Sequence, residues 1–331
     1  MKIAVILPIA KADYMANTVL DGLIDLQAEQ VDVDFVVTTN FPSPFDLKKY
    51  EKNEGDFIEY ANTADIIILC WGKGTTNLAL ADKINKWYKT VFVDGSELGK
   101  NNRFNKEITD KVLSGSYEGI GAIDANILSK AKLYFRREKP YIKGITAFPF
   151  GIETRYCEYY KKEIKRDIDF TCIFGQDEYP IMRRQAREYL EVFCKKNSFI
   201  YKTNKTKGFN FDDNSKKAGR NDFYDILSRT KVGISIGGGG YDTARFWEIL
   251  ANGAMLLTEK IDIYDNPKEK LGYNRIIEFT NLDDFKIKLE EIAKLIRGGY
   301  ENDELEYEKI LNEHSTKARV KEMIETFKNK K

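Results

Sequence analysis

Histidine is nearly absent. The 331 residues include one, His314, which excludes a histidine-rich metal site. Cysteine is sparse as well: Cys70, Cys157, Cys172 and Cys194 are widely spaced, and no C-x-x-C pair suggests zinc or a redox dithiol. Their pattern predicts buried thiols in a reducing compartment. With 7 Pro and 23 Gly the chain is neither collagen-like nor low-complexity, and its 42% hydrophobic and 32% charged residues exclude disorder as the main state. An excess of either charge is also missing. Lys plus Arg number 53 against 52 Asp plus Glu, so no global field favours nucleic acid or an anionic membrane, and any basic site is local. Finally, no run approaches the roughly 18 apolar residues of a membrane span. The opening MKIAVILPIA ends at Lys11 without a convincing cleavage site and reads as a first strand. Together these absences predict a cytoplasmic protein, with peripheral membrane contact left open.

What is present is a regular alternation. At about 150 residues per domain, the length predicts two compact units. Strand-length apolar runs alternate with amphipathic stretches, the pattern of β-α-β units in a parallel sheet covered on both faces. The fold class is therefore α/β, doubly wound. In the first half the predicted strands are Lys2 to Leu7, Val33 to Thr38, Asp65 to Cys70, Thr90 to Val93 and Ile145 to Phe150, with helices at Tyr14 to Gln27 and Thr76 to Lys86. The second half restarts with a strand at Asp169 to Phe174, a loop at Gly175 and a helix from Ile181 to Lys195. A polar connection, Thr203 to Arg220, precedes a helix at Asp222 to Arg229 and a strand at Lys231 to Ile236. The predicted domains are residues 1–148 and 149–312, with a closing helix at 313–331.

The most informative stretch is Lys231 to Glu259, KVGISIGGGGYDTARFWEILANGAMLLTE. It reads as strand, glycine loop, helix, strand. Gly237, Gly238, Gly239 and Gly240 permit positive φ and close backbone approach. Asp242 is the predicted N-cap of a helix from Thr243 to Asn252, and Gly253 is placed to stop it. Glycine-exposed amides at a helix N-terminus favour phosphate. Arg245 in the first turn adds a fixed cation, and Glu248, three residues on, shares its face and can accept hydrogen bonds from a ribose. That order fits a nucleoside diphosphate better than free phosphate, although Arg245 and Glu248 equally suit a plain intrahelical ion pair. No Walker A lysine follows the loop, and Leu7 to Tyr14 contains no glycine, which disfavours a nicotinamide-dependent dehydrogenase. Gly72 and Gly74 in CWGKGTT follow a strand and are read as lining a crevice.

These residues resemble a family. RFWEILANGAMLL, with the glycine loop and Asp242-Thr243 before it, is similar to the donor-site signature of group 1 glycosyltransferases, especially the spore-maturation-protein-like and exostosin-like branches. FPFGIET (148–154) resembles the segment entering the family's second domain, DIDFTCIFG (167–175) its first strand there, and HSTKAR (314–319) its closing helix. The likeness implies a GT-B architecture, two Rossmann-like domains facing a cleft, with acceptor specificity on the first and a nucleotide-sugar donor on the second. It implies donor contacts from Gly175, Gly238, Gly239, Gly240, Tyr241, Asp242, Thr243, Arg245 and Glu248. Glu248 matches the second glutamate of the family's E-x7-E motif, and Gly240 stands at the place of the first. No metal or other cofactor is implied, the leaving diphosphate being neutralised by the helix N-terminus and by Arg or Lys.

Transfer with inversion would need a base. Asp13, after the first strand, and Asp94 with Glu97 in VDGSEL follow predicted strand ends and are the candidates. Lone His314 is read as a packing residue. Lys11, Arg136, Arg137 and Arg183 are candidate phosphate or acceptor contacts. The expected function is transfer of a sugar from a nucleotide-diphosphate donor to a glycan, protein or other polymer, nucleic acid entering only as acceptor. An epimerase or hydrolase on the same fold, or a nonenzymatic nucleotide-sugar-binding protein, is the alternative.

Overall fold

The computed structural model describes residues 1–30, 32–97, 121–175, 180–204, 217–299 and 303–330, with a few isolated positions between 107 and 116. The chain divides into two units. One comprises Met1–Glu153, Ile263–Asp265 and His314–Lys331; the other comprises Thr154–Asp262 and Asn266–Glu313.

In the first unit, strands β1 (Lys2–Ile6), β2 (Asp34–Thr38), β3 (Glu51–Lys52), β4 (Ile66–Cys70), β5 (Thr90–Asp94), β6 (Leu133–Arg136) and β7 (Ile145–Ala147) form a parallel sheet in the order β3-β2-β1-β4-β5-β6-β7. Their continuous apolar runs are explained by helices on both faces: β4 and β5 are buried at every position. Helix α1 (Tyr14–Ala28) follows β1, α2 (Glu54–Thr63) follows β3, α3 (Thr75–Ile84) follows β4, and α4 (Ala125–Lys130) precedes β6. The closing residues 314–331 belong to this unit. A Cβ on Gly22 of α1 would lie 2.5 Å from the Thr316 carbonyl, and Thr316 donates its hydroxyl to buried Asp21 at 2.6 Å. This contact brings the C-terminal helix, Thr316–Asn329, against α1.

The second unit repeats the plan with β8 (Ile168–Cys172), β9 (Tyr201–Thr203), β10 (Thr230–Ser235), β11 (Met255–Glu259) and β12 (Ile276–Phe279), all parallel, in the order β12-β11-β10-β8-β9. Helix α5 (Ile181–Asn197) follows β8, α6 (Lys217–Ser228) precedes β10, and α7 (Ala244–Ala251) connects β10 to β11. Phe170, Val232, Ile234, Leu257 and Phe279 form its core beneath Leu190 and Leu289. Strand order reverses between β1 and β4 in one sheet and between β8 and β10 in the other. In open parallel sheets such switch points are where ligands bind, beyond the carboxyl ends of the strands.

The fold class predicted from periodicity is the observed one, with some elements shifted. The strand beginning at Ile145 stops at Ala147, where Phe148 turns its N–H to the Arg136 carbonyl at 2.7 Å. Several elements were not anticipated: β3 and β9 are too short to carry an alternation, α2 is weakly apolar, β6 (LYFR) hides behind its arginine, and α4 and β12 are short as well. Among the described residues, no helix is long and apolar enough to cross a membrane.

Candidate functional site

The sequence around the glycine loop explains how the helix after β10 is placed. Gly233 in β10 lets α7 approach the sheet, since a Cβ there would sit 2.7 Å from two side-chain carbons of Ile249. Gly233→Ala is therefore expected to destabilise the protein by about 1–3 kcal/mol through overpacking, read as a shifted urea midpoint. Gly253 stops the helix with φ +66°, as its place in the sequence predicts.

The N-terminus of α7 differs from the expectation. Asp242 is not the cap: it is fully buried and accepts the Trp247 indole N–H at 2.8 Å, which fixes the loop to the helix. Thr243 is the N-cap residue and its side chain makes no capping bond, lying 3.4 Å from the Ser235 hydroxyl. The first-turn amides of α7 thus have no side-chain acceptor from their cap. The glycines also act otherwise than through left-handed backbone, because neither Gly237 nor Gly238 has φ in that region. What they provide is room. A Cβ on Gly237 would lie 3.0 Å from the Gly240 carbonyl, and one on Gly238 would lie 2.9 Å from Nη2 of Arg183. The Gly237 N–H donates to buried Glu259 at 3.2 Å, and the Gly238 N–H donates to the Gly240 carbonyl at 2.9 Å. Gly239 is exposed, Tyr241 is half-buried, and a Cβ at Gly175 would meet nothing within 4 Å.

Two arginines meet this loop from different elements. Arg183, in the first turn of α5 after β8, donates from Nε and Nη2 to the Ile236 carbonyl at 3.3 and 3.1 Å, with its guanidinium carbon 4.9 Å from the Phe174 ring centre. Because β8 and β10 are neighbours in the sheet, α5 delivers that cation across the switch point. Arg245, in the first turn of α7, lies over the Phe223 ring at 3.8 Å. Its Nη1 is 2.8 Å from Glu248, a charge contact off the hydrogen-bonding direction. Nε and Nη1 are both buried and hydrogen-bond to no group among the described residues, in a side chain only 13% exposed. Buried guanidinium nitrogens without a hydrogen-bond partner are uncommon. The other oxygen of Glu248 accepts the Tyr224 hydroxyl at 3.1 Å.

The first-unit candidates fall into two groups. Asp94, a candidate base expected to face the cleft after its strand, is fully buried instead. It pairs with Arg136 at 2.6 Å and Lys73 at 3.0 Å, and accepts the Tyr134 hydroxyl at 2.7 Å and the Ser96 N–H at 2.9 Å. Burial raises the pKa of such a carboxyl, but the two cations and the two hydrogen bonds outweigh it and hold Asp94 below the ordinary range. Arg136, expected as a phosphate or acceptor contact, is also fully buried, donating to Asp94 and to the carbonyls of Glu138 and Gly121. Both form an internal strut at the end of β5 and β6. Asp13, by contrast, is half-buried. It caps α1 by accepting the Ala16 N–H at 2.6 Å, and burial pushes its pKa up against the lowering effects of that bond, of Arg137 and of Lys11. Lys11 is exposed with its ammonium 5.4 Å from the Trp71 ring centre. Arg137 lies over Phe150 at 4.2 Å and pairs with Glu97 at 3.3 Å. His314 is buried and accepts an Arg319 N–H at 2.8 Å on Nδ1. None of the four cysteines forms a disulfide, and three of them are buried.

Tyr224, Phe223 and Glu259 were missed as supports of the site. A glutamate closing the apolar run MLLTE was the available signal for Glu259; nothing local marked the two aromatics, which arrive by tertiary packing.

No protein-family model matches the sequence, and no curated protein matches it. Solved structures do. The chain is similar to an alpha-glucosyltransferase in complex with UDP and a 13-mer DNA containing a central A:G mismatch, with a TM-score of 0.63 and 14% identity over 99% of this chain and 100% of that one. It is similar to a glycosyltransferase from Rickettsia africae ESF-5, with a TM-score of 0.58 and 10% identity over 99% and 97% of the two chains. A second alpha-glucosyltransferase structure, in complex with UDP, aligns with a TM-score of 0.56 and 11% identity over 99% and 100%. At such identities these likenesses show the fold, the two-sheet α/β arrangement of GT-B glycosyltransferases.

Proposed function

We propose that the chain is a glycosyltransferase whose nucleotide-diphosphate sugar binds the second unit at Gly237–Glu248. The observation that carries this reading is Arg245 at the opening of α7, half-buried and paired with Glu248, whose Nε and Nη1 hydrogen-bond to no group among the described residues. A diphosphate would take the α7 amides, Arg245 and Arg183 as its donors, and the ribose hydroxyls would compete with Tyr224 and Arg245 for Glu248. These groups favour the charge that develops on the diphosphate as its bond to the anomeric carbon breaks and an acceptor oxygen forms the new one. The UDP named with two of the structural neighbours supports the same ligand class. In this reading no metal is required, and transfer is expected to persist in EDTA.

Asp13 is the proposed base, taking the acceptor proton. Its raised pKa moves it toward the range useful for proton abstraction, and activity is expected to rise with pH as the carboxyl ionises. Asp13→Asn keeps a capping side chain, so the expected result is unchanged folding and nucleotide binding with transfer reduced roughly 10²–10⁴-fold. Transfer at the wild-type rate would remove Asp13 from the mechanism. Gly238→Ala is expected to weaken nucleotide binding with little loss of stability, because the added methyl meets only the movable tip of Arg183. Calorimetric titration with UDP, GDP, ADP and dTDP, with and without their sugars, tests the donor site. Sugar release or epimerisation without any acceptor would replace transfer by the alternative chemistry.

A further inference from the structure

A cavity of about 220 Å³ opens at the carboxyl edge of the sheet beside the β1/β4 switch point, where Leu7 follows β1, Thr38 ends β2, and Thr76 and Asn77 begin α3. Ile6, Leu7 and Leu80 give it aliphatic walls. Two buried polar side chains stand in its lining with unspent hydrogen-bonding capacity. Asn77, 5% exposed, donates Nδ2 to the Cys70 carbonyl at 3.3 Å, and its Oδ1 accepts from no donor among the described residues. Thr38, 8% exposed, accepts the Leu7 N–H at 2.9 Å and so keeps its own O–H to give. The lining also includes exposed Lys52 and the Lys83–Glu54 ion pair at 2.6 Å.

We infer that this cavity binds an adenine-type nucleoside. The aliphatic walls given by Ile6, Leu7 and Leu80 suit the apolar face of a heteroaromatic ring, with the polar lining left for its edge. Among the polar lining, which also includes Thr39, Thr76 and the charged Lys52, Glu54 and Lys83, the two buried side chains Asn77 and Thr38 leave one acceptor and one donor for a ligand. Adenine offers both on one edge, an exocyclic N–H for Asn77 and a ring nitrogen for the Thr38 hydroxyl. The volume is below the roughly 300–1,000 Å³ of pockets for larger ligands. It fits one base, with ribose reaching the mouth. Every lining residue belongs to the first unit, between Ile6 and Lys83.

Saturation-transfer NMR and calorimetry on the full chain with adenosine test this. Adenosine has no phosphate and cannot exploit Arg245. The expected result is binding that is lost in Ala79→Trp, which places an indole in the cavity from an exposed helix position, and retained in Arg245→Met. Purine riboside, lacking the exocyclic amine, is expected to bind up to roughly tenfold more weakly, the worth of one hydrogen bond. Absence of adenosine binding at millimolar concentration overturns the assignment. So does binding that survives Ala79→Trp or disappears in Arg245→Met. Failure of UDP to bind the second unit would leave these outcomes unchanged.

Discussion

Arg245→Met is expected to weaken nucleoside-diphosphate binding by about 1.5–3 kcal/mol, roughly 10- to 150-fold in Kd, while the protein still melts cooperatively. The size follows from the state of the wild-type side chain. Its Nε and Nη1 make no hydrogen bond among the described residues, so a bound diphosphate would gain charge-assisted bonds and compete with the Glu248 ion pair at 2.8 Å. Methionine retains the apolar stem over Phe223, which separates lost charge from lost packing. Glu248 is left with the Tyr224 hydroxyl as its partner, and the double variant Arg245→Met, Glu248→Gln removes that residual charge. Titration calorimetry with UDP and GDP reads the effect. Unchanged affinity in a folded Arg245→Met protein would place the diphosphate elsewhere.

Arg136→Met is expected to produce the largest loss of stability, about 3–5 kcal/mol, because it leaves the fully buried Asp94 carboxylate with Lys73 as its remaining cation. Lys73, at 3.0 Å, brings the expectation toward the lower end. Adding Asp94→Leu to Arg136→Met should recover much of the loss, since a buried pair replaced by apolar side chains is often neutral. A urea titration of the two variants decides it. The pH dependence follows from the sign of the Asp94 shift: its folded pKa lies below the unfolded value, so its contribution is full above the ordinary carboxylate range and is lost as pH falls through the depressed value. Removing Arg136 raises that folded pKa, and acid unfolding should begin at higher pH. Acid unfolding at the wild-type pH, with wild-type urea stability, would show that the strut contributes little.

The α/β class, two parallel sheets and the strand-loop-helix around Gly237–Gly240 were legible because buried parallel strands are continuous apolar runs, and because glycine and capping residues punctuate them locally. The same signals placed Gly253 correctly. They misplaced the cap, since Asp242 and Thr243 are equally good capping residues and only the burial of Trp247 beside Asp242 decides between them. Asp94 and Arg136 looked like loop and boundary charges because they are 42 residues apart in sequence, yet neighbouring strands β5 and β6 bring them together.

The amino-acid sequence by itself determined the local grammar: where strands and helices run, that a glycine loop precedes Arg245, and that Arg245 and Glu248 share a helical face. Only the tertiary structure decided which charges are exposed and which are internal struts. It brought Arg183 from the β8 side onto the glycine loop, Tyr224 and Phe223 beneath Glu248 and Arg245, and Thr38 and Asn77 into one cavity. The physical reason is that periodicity and capping act over a few residues, whereas strand order juxtaposes groups far apart in the chain, and burial then fixes what each group can do.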